Sequence, residues 1–343
     1  MKQRMTLGRT GLETYRLGFG GIPIQRVTEA EAVETVRHAI ERGVEFIDTS
    51  RAYSTSERRI GLALKEAGAA AKRVILASKS HAKTADRMRA DLETSLKEFD
   101  RDYIDLYQCH FVSTDADYRT AISPGGALEA LHKAKEEGLI GHIGITGHSL
   151  DVLERAVDDG LFDTLMVCFG LLEPQAREKV IPKALEKNIG VIAMKSFSGG
   201  VIDNARLAIK WALAVPGVLL IPGVESPELF DENWRVFEEG GPLTEAEERE
   251  IAALQASYDK VFCRRCDYCQ PCSEEISIQT VLGVRSLVKR MGKELLRQGP
   301  LWTAVERGRN CTECGECVTR CPYELPIPEL IRENLRWLDE EAE

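Results

Sequence analysis

Positive charge is in the minority in this chain: 45 lysines and arginines stand against 55 aspartates and glutamates, for a formal net charge of −10. Such a surface repels a polyanion, so no nucleic-acid partner is expected. No stretch approaches the ~18 uninterrupted apolar residues of a membrane span. The opening MKQRMTLGRTGLETYRLGFGG carries basic residues but lacks the apolar core of about 7–15 residues that marks a secretory signal. The expected location is therefore cytoplasmic, with no membrane partner. Cysteine is nearly absent from the first 262 residues, where only Cys109 and Cys168 occur; the other eight lie beyond. Reducing compartments keep thiols free, so these cysteines read as metal ligands rather than disulfides. Cys109 and Cys168 themselves read as small core hydrophobes.

A glycine-rich phosphate loop is missing too, and its absence bears on the fold. From residue 16 onward, short apolar runs alternate with amphipathic segments: RLGFGG, VEFID, RVILAS, YIDLYQ, LIGHIGI, DTLMVCF, IGVIAM and GVLLIP are the strands. Between them lie helical patterns such as EAEAVETVRHAIERG, MRADLETSLKEF, GGALEALHKAKEEG and AREKVIPKALEKN, many ending at Gly or Asn as left-handed caps do. Eight βα units predict an α/β fold, a (β/α)8 TIM barrel. A doubly wound open sheet would share the alternation, but it would carry its phosphate loop after the first strand, and GFGGIPIQ has neither the spacing nor an immediate helix. The segment LTEAEEREIAALQASYDKVF, opened by Thr244 with Glu247 three residues on, closes the barrel domain. The expected domains are thus 1–259 for the barrel and 260–343 for a smaller second domain.

Barrels of this kind place their chemistry at the C-terminal ends of the strands. Those positions hold Asp48, with Tyr53 five residues on, then Lys79 and His110. A tyrosine with an ordinary pKa of about 10 is a poor acid at neutral pH unless a nearby cation stabilises its phenolate. Lys79 supplies that charge, and Asp48 holds the buried ammonium charged and in place. With His110 facing a carbonyl, the set is a proton relay suited to hydride transfer, with Tyr53 protonating the oxygen. His81 reads as a loop residue.

The stretches GVEFIDTSRAYSTSERRIGLALK, ILASKS, LETSLKEFDRDYIDLYQCH and GHIGITGHS resemble the aldo-keto reductase family across nearly the whole barrel. The resemblance implies Asp48, Tyr53, Lys79 and His110 as the family's tetrad, and a nicotinamide dinucleotide, NAD(P)(H), bound without a Rossmann domain. It places cofactor contacts at Gly20, Gly21, Thr146, Gly147, Lys195, Ser196, Phe197, Gly223, Ser226, Glu232 and Asn233. Several positions depart from the family pattern. Gly147 stands in place of an amide side chain and Met166 in place of a common glutamine. In IPGVESPELFDEN, Gly223 replaces a lysine and Leu229 the arginine that pairs with a 2′-phosphate. Since a 2′-phosphate needs cationic, bidentate partners, NADH is expected to serve at least as well as NADPH.

The second cysteine run, Cys311, Cys314, Cys317, Cys321 and Pro322, has the spacing in which three thiols bind one iron–sulfur cubane and the fourth reaches another. The first run, Cys263, Cys266, Cys269 and Cys272, is one residue shorter before its last thiol and is followed by Ser273. Two [4Fe–4S] clusters would use all eight thiols; one cluster, or a zinc ion, is the alternative. The helical spacer SLVKRMGKELLRQG resembles an alpha-helical ferredoxin. The expected function is reduction of a small aldehyde or ketone, or the reverse oxidation of an alcohol, with iron–sulfur clusters either as staples of a small domain or exchanging electrons with a soluble partner. The rival reading is an electron-transfer or redox-sensing module whose barrel holds a nicotinamide or flavin.

Overall fold

The computed structural model describes residues 3–340. The chain divides into two compact units, one of Met1–Phe197 with Asp203–Leu243 and one of Ser198–Ile202 with Thr244–Glu343.

The first unit contains eight parallel strands: β1 (Phe19–Gly20), β2 (Phe46–Asp48), β3 (Ile75–Ser80), β4 (Ile104–Cys109), β5 (Ile140–Gly147), β6 (Thr164–Cys168), β7 (Gly190–Met194) and β8 (Val218–Leu220). Each pairs with the next in sequence order. Parallel bridges between Leu17 and Leu220 and between Gly20 and Gly223 join the first strand to the last. The seam is tight enough to demand glycine: a Cβ on Gly20 would stand 2.7 Å from the Ile221 carbonyl oxygen. The strands are mostly buried on both faces, as parallel strands between a packed interior and an outer ring of helices must be, with polar residues concentrated toward their C-terminal ends. Phe46, Ala77, Leu106, Met166, Ile192 and Leu219 pack together with Leu7, which follows the hairpin strand Arg4–Thr6. All eight runs marked in the sequence form strands.

The helices follow their sequence signals with two instructive exceptions. Glu29–Arg42 starts in a Thr28–Glu31 capping box and stops at Gly43 in the left-handed region. AREKVIPKALEKN, by contrast, splits into Ala176–Lys179 and Ile181–Glu186. Pro182 has no N–H to bond back into the preceding turn, so one helix stops and another begins around it.

The second unit holds the helix Glu245–Tyr258, opened by the expected Thr244–Glu247 capping box. That helix, placed at the close of the barrel domain by sequence, groups by contacts with this unit. SLVKRMGKELLRQG forms two helices, Val284–Met291 and Lys293–Arg297, because Gly292 between them takes φ +81°. Short helices and the long Ile327–Glu340 gather around Ile278, Val281, Leu296, Val305, Ile331 and Leu335. Among the described residues no helix is long and apolar enough to cross a membrane.

Candidate active site and cluster sites

At the mouth of the first unit, β2 ends on Asp48 and β3 carries Lys79 in the next strand. Lys79 Nζ lies 2.6 Å from Asp48 Oδ2 and 2.7 Å from the Thr49 carbonyl oxygen. Both side chains are 2% exposed, so the pair is sealed from water. Burial by itself would lower the pKa of Lys79; the charge of Asp48, with Tyr53 adding to it, overrides burial and holds the ammonium above its ordinary value. Burial pushes the Asp48 carboxyl up, and the charge of Lys79 opposes that push.

Tyr53 reaches the same place from the loop after β2. Its N–H donates to the Ser50 carbonyl (3.0 Å) and its carbonyl accepts from the Ser56 N–H (2.8 Å), a turn that brings the half-buried ring over Lys79. Lys79 Nζ is 4.9 Å from the ring centroid. His110 follows β4, its N–H donating to the Ser80 carbonyl at 2.8 Å. Its ring meets Tyr53 edge-on, with centroids 6.0 Å apart. Burial, then the nearby charge of Lys79 and further cationic neighbours, hold His110 well below the ordinary histidine pKa. The imidazole is therefore neutral at pH 7. The four strand-end residues picked out by sequence stand together.

Two neighbours escaped the sequence reading. Ser50 Oγ lies 3.0 Å from His110 Nδ1, and the ring of His81 lies 4.1 Å from that of His110. His81 is a loop residue, as read from the sequence, but it lies one residue past β3, and continuing the strand's alternation from Lys79 two residues earlier points it to the same side. Behind the strands, buried Glu57 accepts from Ser78 Oγ (2.6 Å) and Ser95 Oγ (2.7 Å) and pairs with Arg51, bracing the loop that carries Tyr53. Cys109 is fully buried, and burial pushes its thiol up to about 12, in keeping with a core residue.

The positions assigned to a dinucleotide are more dispersed in role. Ser196, just past β7, is fully buried and its hydroxyl has no hydrogen-bond partner among the described residues. A buried donor left unpaired is costly, and a phosphate or carboxamide oxygen would satisfy it. Gln108 likewise buries both amide atoms without partners, in the strand position level with Lys79. Lys195 contacts His148 Nε2 at 3.1 Å, and Phe197 is half-buried. Thr146 Oγ1 accepts from the Phe111 N–H (2.9 Å), which leaves its own proton to donate. A Cβ on Gly147 would stand 2.5 Å from the Val112 carbonyl oxygen, so backbone packing accounts for that glycine. Gly20 and Gly21 donate their N–H groups to the carbonyls of Pro222 and Asp48, each at 2.8 Å. Around β8, Ser226 caps the helix Pro227–Glu239, Asn233 is buried, and Gly223, Leu229 and Glu232 are exposed. Arg26 is paired with Glu225 at 2.6 Å, and Arg42 with Asp231 at 2.9 Å.

In the second unit the thiols line two cavities. Cys272, Cys311, Cys314 and Cys317 line one and Cys263, Cys266 and Cys321 the other, with Cys269 on the wall of both. The last thiol of each run thus faces the cavity of the other run. Among the described residues no three of Cys, His, Asp and Glu converge as a single ion would need.

Residues 16–206 match the model of the Aldo/keto reductase family, and residues 262–326 match that of a 4Fe-4S dicluster domain. Among curated proteins the chain is similar to the L-galactose dehydrogenase of Arabidopsis thaliana, 32% identical over 217 residues, covering 58% of this chain and 66% of that protein. It is also similar to the aldo-keto reductase YhdN of Bacillus subtilis, 30% identical over 217 residues, covering 58% and 63%. The chain thus spans just under two thirds of the length of these relatives. Among solved structures, an aldo-keto reductase of Bacillus halodurans in its holo form shares the fold at TM-score 0.63 and 22% identity, covering 74% of this chain and 96% of that one. One from Klebsiella pneumoniae, in complex with NADP and acetate, does so at TM-score 0.62 and 22% identity, covering 74% and 96%.

Proposed function

The chain belongs to the aldo/keto reductase family, and from that premise we propose that it interconverts a small aldehyde or ketone and its alcohol using NAD(P)(H), with Tyr53 as general acid and base. The observation that carries this reading is the sealed Lys79–Asp48 pair beside Tyr53, next to a neutral His110. A nicotinamide dinucleotide, when bound, supplies or removes hydride at the carbonyl carbon. Tyr53 gives its proton to the carbonyl oxygen, and the Lys79 ammonium stabilises the phenolate left behind. His110, neutral, orients the same oxygen by a hydrogen bond. In the reverse direction the phenolate takes the alcohol proton. The unpaired hydroxyl of buried Ser196 fits a cofactor oxygen, and Gln108 offers a second unsatisfied group beside Lys79.

The loop after β8 favours NADH, at least on equal terms with NADPH. Leu229 and Gly223 bring no charge there, Arg26 and Arg42 are taken up by Glu225 and Asp231, and Glu228 adds an exposed carboxylate that opposes a 2′-phosphate. As the Arabidopsis relative is named for L-galactose, hydroxylated aldehydes and their sugars are the first substrates to try.

The C-terminal segment holds, on this reading, two [4Fe–4S] clusters, one on Cys263, Cys266, Cys269 and Cys321, the other on Cys272, Cys311, Cys314 and Cys317. Thiols ranged around a cavity suit a cubane better than one tetrahedral ion. Cys314 is exposed, which favours electron exchange with a soluble partner in a reducing compartment such as the cytoplasm. The decisive experiment is turnover of a carbonyl panel with NADH and NADPH by anaerobically purified holoprotein, alongside Tyr53→Phe. Loss of about 100-fold or more in turnover with dinucleotide affinity retained is expected; undiminished turnover rejects the mechanism.

A further inference from the structure

Ser50 sits between Asp48 and Tyr53 in the chain, is 1% exposed, and has its hydroxyl within reach of three groups. The Ala52 N–H donates to Oγ at 3.1 Å, the Lys79 carbonyl oxygen lies at 3.1 Å, and His110 Nδ1 lies at 3.0 Å. A serine hydroxyl has one proton to place and two lone pairs. The Lys79 carbonyl already accepts from the Arg51 N–H at 3.0 Å, so it is not left bare if the serine proton goes elsewhere. His110 Nδ1, among the described residues, has Ser50 Oγ as its hydrogen-bond partner and no other. The ring of His81, tilted 38° with its centroid 4.1 Å away, packs beside the imidazole.

Two proton arrangements pair Nδ1. In one, Nδ1–H donates to Oγ and the serine proton turns to the Lys79 carbonyl; Nε2 is then a bare lone pair and cannot donate to a substrate oxygen that gains negative charge. In the other, the serine proton goes to Nδ1 and the ring proton sits on Nε2. The hydrogen bond made by one ring nitrogen decides which tautomer the other presents. We infer that Ser50 is a positioning residue for the reduction: its hydroxyl donates to His110 Nδ1 and so fixes the imidazole with its proton on Nε2, as donor to the carbonyl oxygen. The inference rests on the carbonyl-reductase reading for its purpose, though not for its geometry.

The test is 15N NMR of the holoprotein labelled at the imidazole nitrogens of its six histidines, with the His110 signals identified by their loss in His110→Gln. Wild type is expected to show a neutral His110 ring protonated on Nε2. Ser50→Ala should shift it to a mixture of tautomers and lower kcat about tenfold, the worth of one hydrogen bond of ~1.4 kcal/mol, while dinucleotide affinity stays put. Ser50→Thr, which keeps a hydroxyl, should retain both the tautomer and the rate. A wild-type ring protonated on Nδ1, or an unchanged tautomer in a folded Ser50→Ala, overturns the inference. Because the tautomer is read without substrate, a holoprotein that reduces no carbonyl would defeat the reductase reading and leave the Ser50 result to be judged by itself.

Discussion

Lys79 Nζ stands 2.5 Å from one oxygen of Asp48 and 2.6 Å from the other, with both side chains shut off from solvent. A buried pair of this kind is worth little against an apolar replacement of the same volume, but removing one partner strands the other as an uncompensated charge. Lys79→Met should therefore destabilise the protein by about 3–5 kcal/mol, and Lys79→Met combined with Asp48→Leu by distinctly less. Urea denaturation of the single and double variants measures this. Equal losses in the two would show that the pair carries no such coupling, while both variants are expected to be inactive in either case.

His110 gives a pH-dependent signature. Unfolded, it titrates near 6.5, about the ordinary histidine value; folded, burial and cationic neighbours keep it neutral far below that. Between the two values the unfolded chain binds a proton that the folded chain refuses. Stability is fully present above about pH 6.5 and falls as the medium is acidified, by up to ~1.4 kcal/mol per pH unit for this one group. Melting temperatures taken from pH 7.5 to 5 should drop more steeply for wild type than for His110→Gln. Parallel curves would mean that His110 titrates normally in the folded state.

How far the chain could be read without coordinates depended on the range of the interaction involved. The eight strands and the capping boxes at Thr28 and Thr244 are local patterns, and local patterns are what a sequence displays. The four strand-end residues were legible because a barrel sends every strand end to one mouth, so topology converts distant positions into neighbours. Ser50 was missed for a different reason: its importance lies in the Nδ1 that it touches on a residue from another strand, and no spacing announces that. His81, by contrast, stood two residues on from Lys79, and its signal went unused. The splitting of AREKVIPKALEKN at Pro182 was visible in principle, since the missing N–H is a property of the residue. The grouping of Glu245–Tyr258 with the second unit was not, because it follows from packing rather than from any boundary signal.

The cysteine cavities make a test of pairing between runs. If Cys321 completes the set of Cys263, Cys266 and Cys269, then Cys321→Ala should remove roughly half of the iron and acid-labile sulfide, and adding Cys263→Ala should remove little more. Combining Cys321→Ala with Cys311→Ala, which lines the other cavity, should remove nearly all. Metal analysis of anaerobically reconstituted protein separates the cases. Additive loss from Cys321 with Cys263, or no further loss from Cys321 with Cys311, would show that each run binds its own cluster.

Cofactor preference should respond to a single surface position. Leu229 is 44% exposed in the first turns of the helix Pro227–Glu239, so an arginine there needs no core rearrangement. Its neighbours Glu225 and Asp231 are already engaged with Arg26 and with Arg42, which leaves an added guanidinium able to turn outward. A charge-assisted, bidentate bond to a 2′-phosphate is worth about 1.5–3 kcal/mol, so Leu229→Arg should tighten NADPH binding by roughly tenfold or more. NADH, which lacks the phosphate, should change little. Fluorescence titration of both dinucleotides against wild type and the variant gives the ratio directly. A wild type that already binds NADPH more than about tenfold tighter than NADH would contradict the charge argument at its root, because no arginine is present at 229 to account for it.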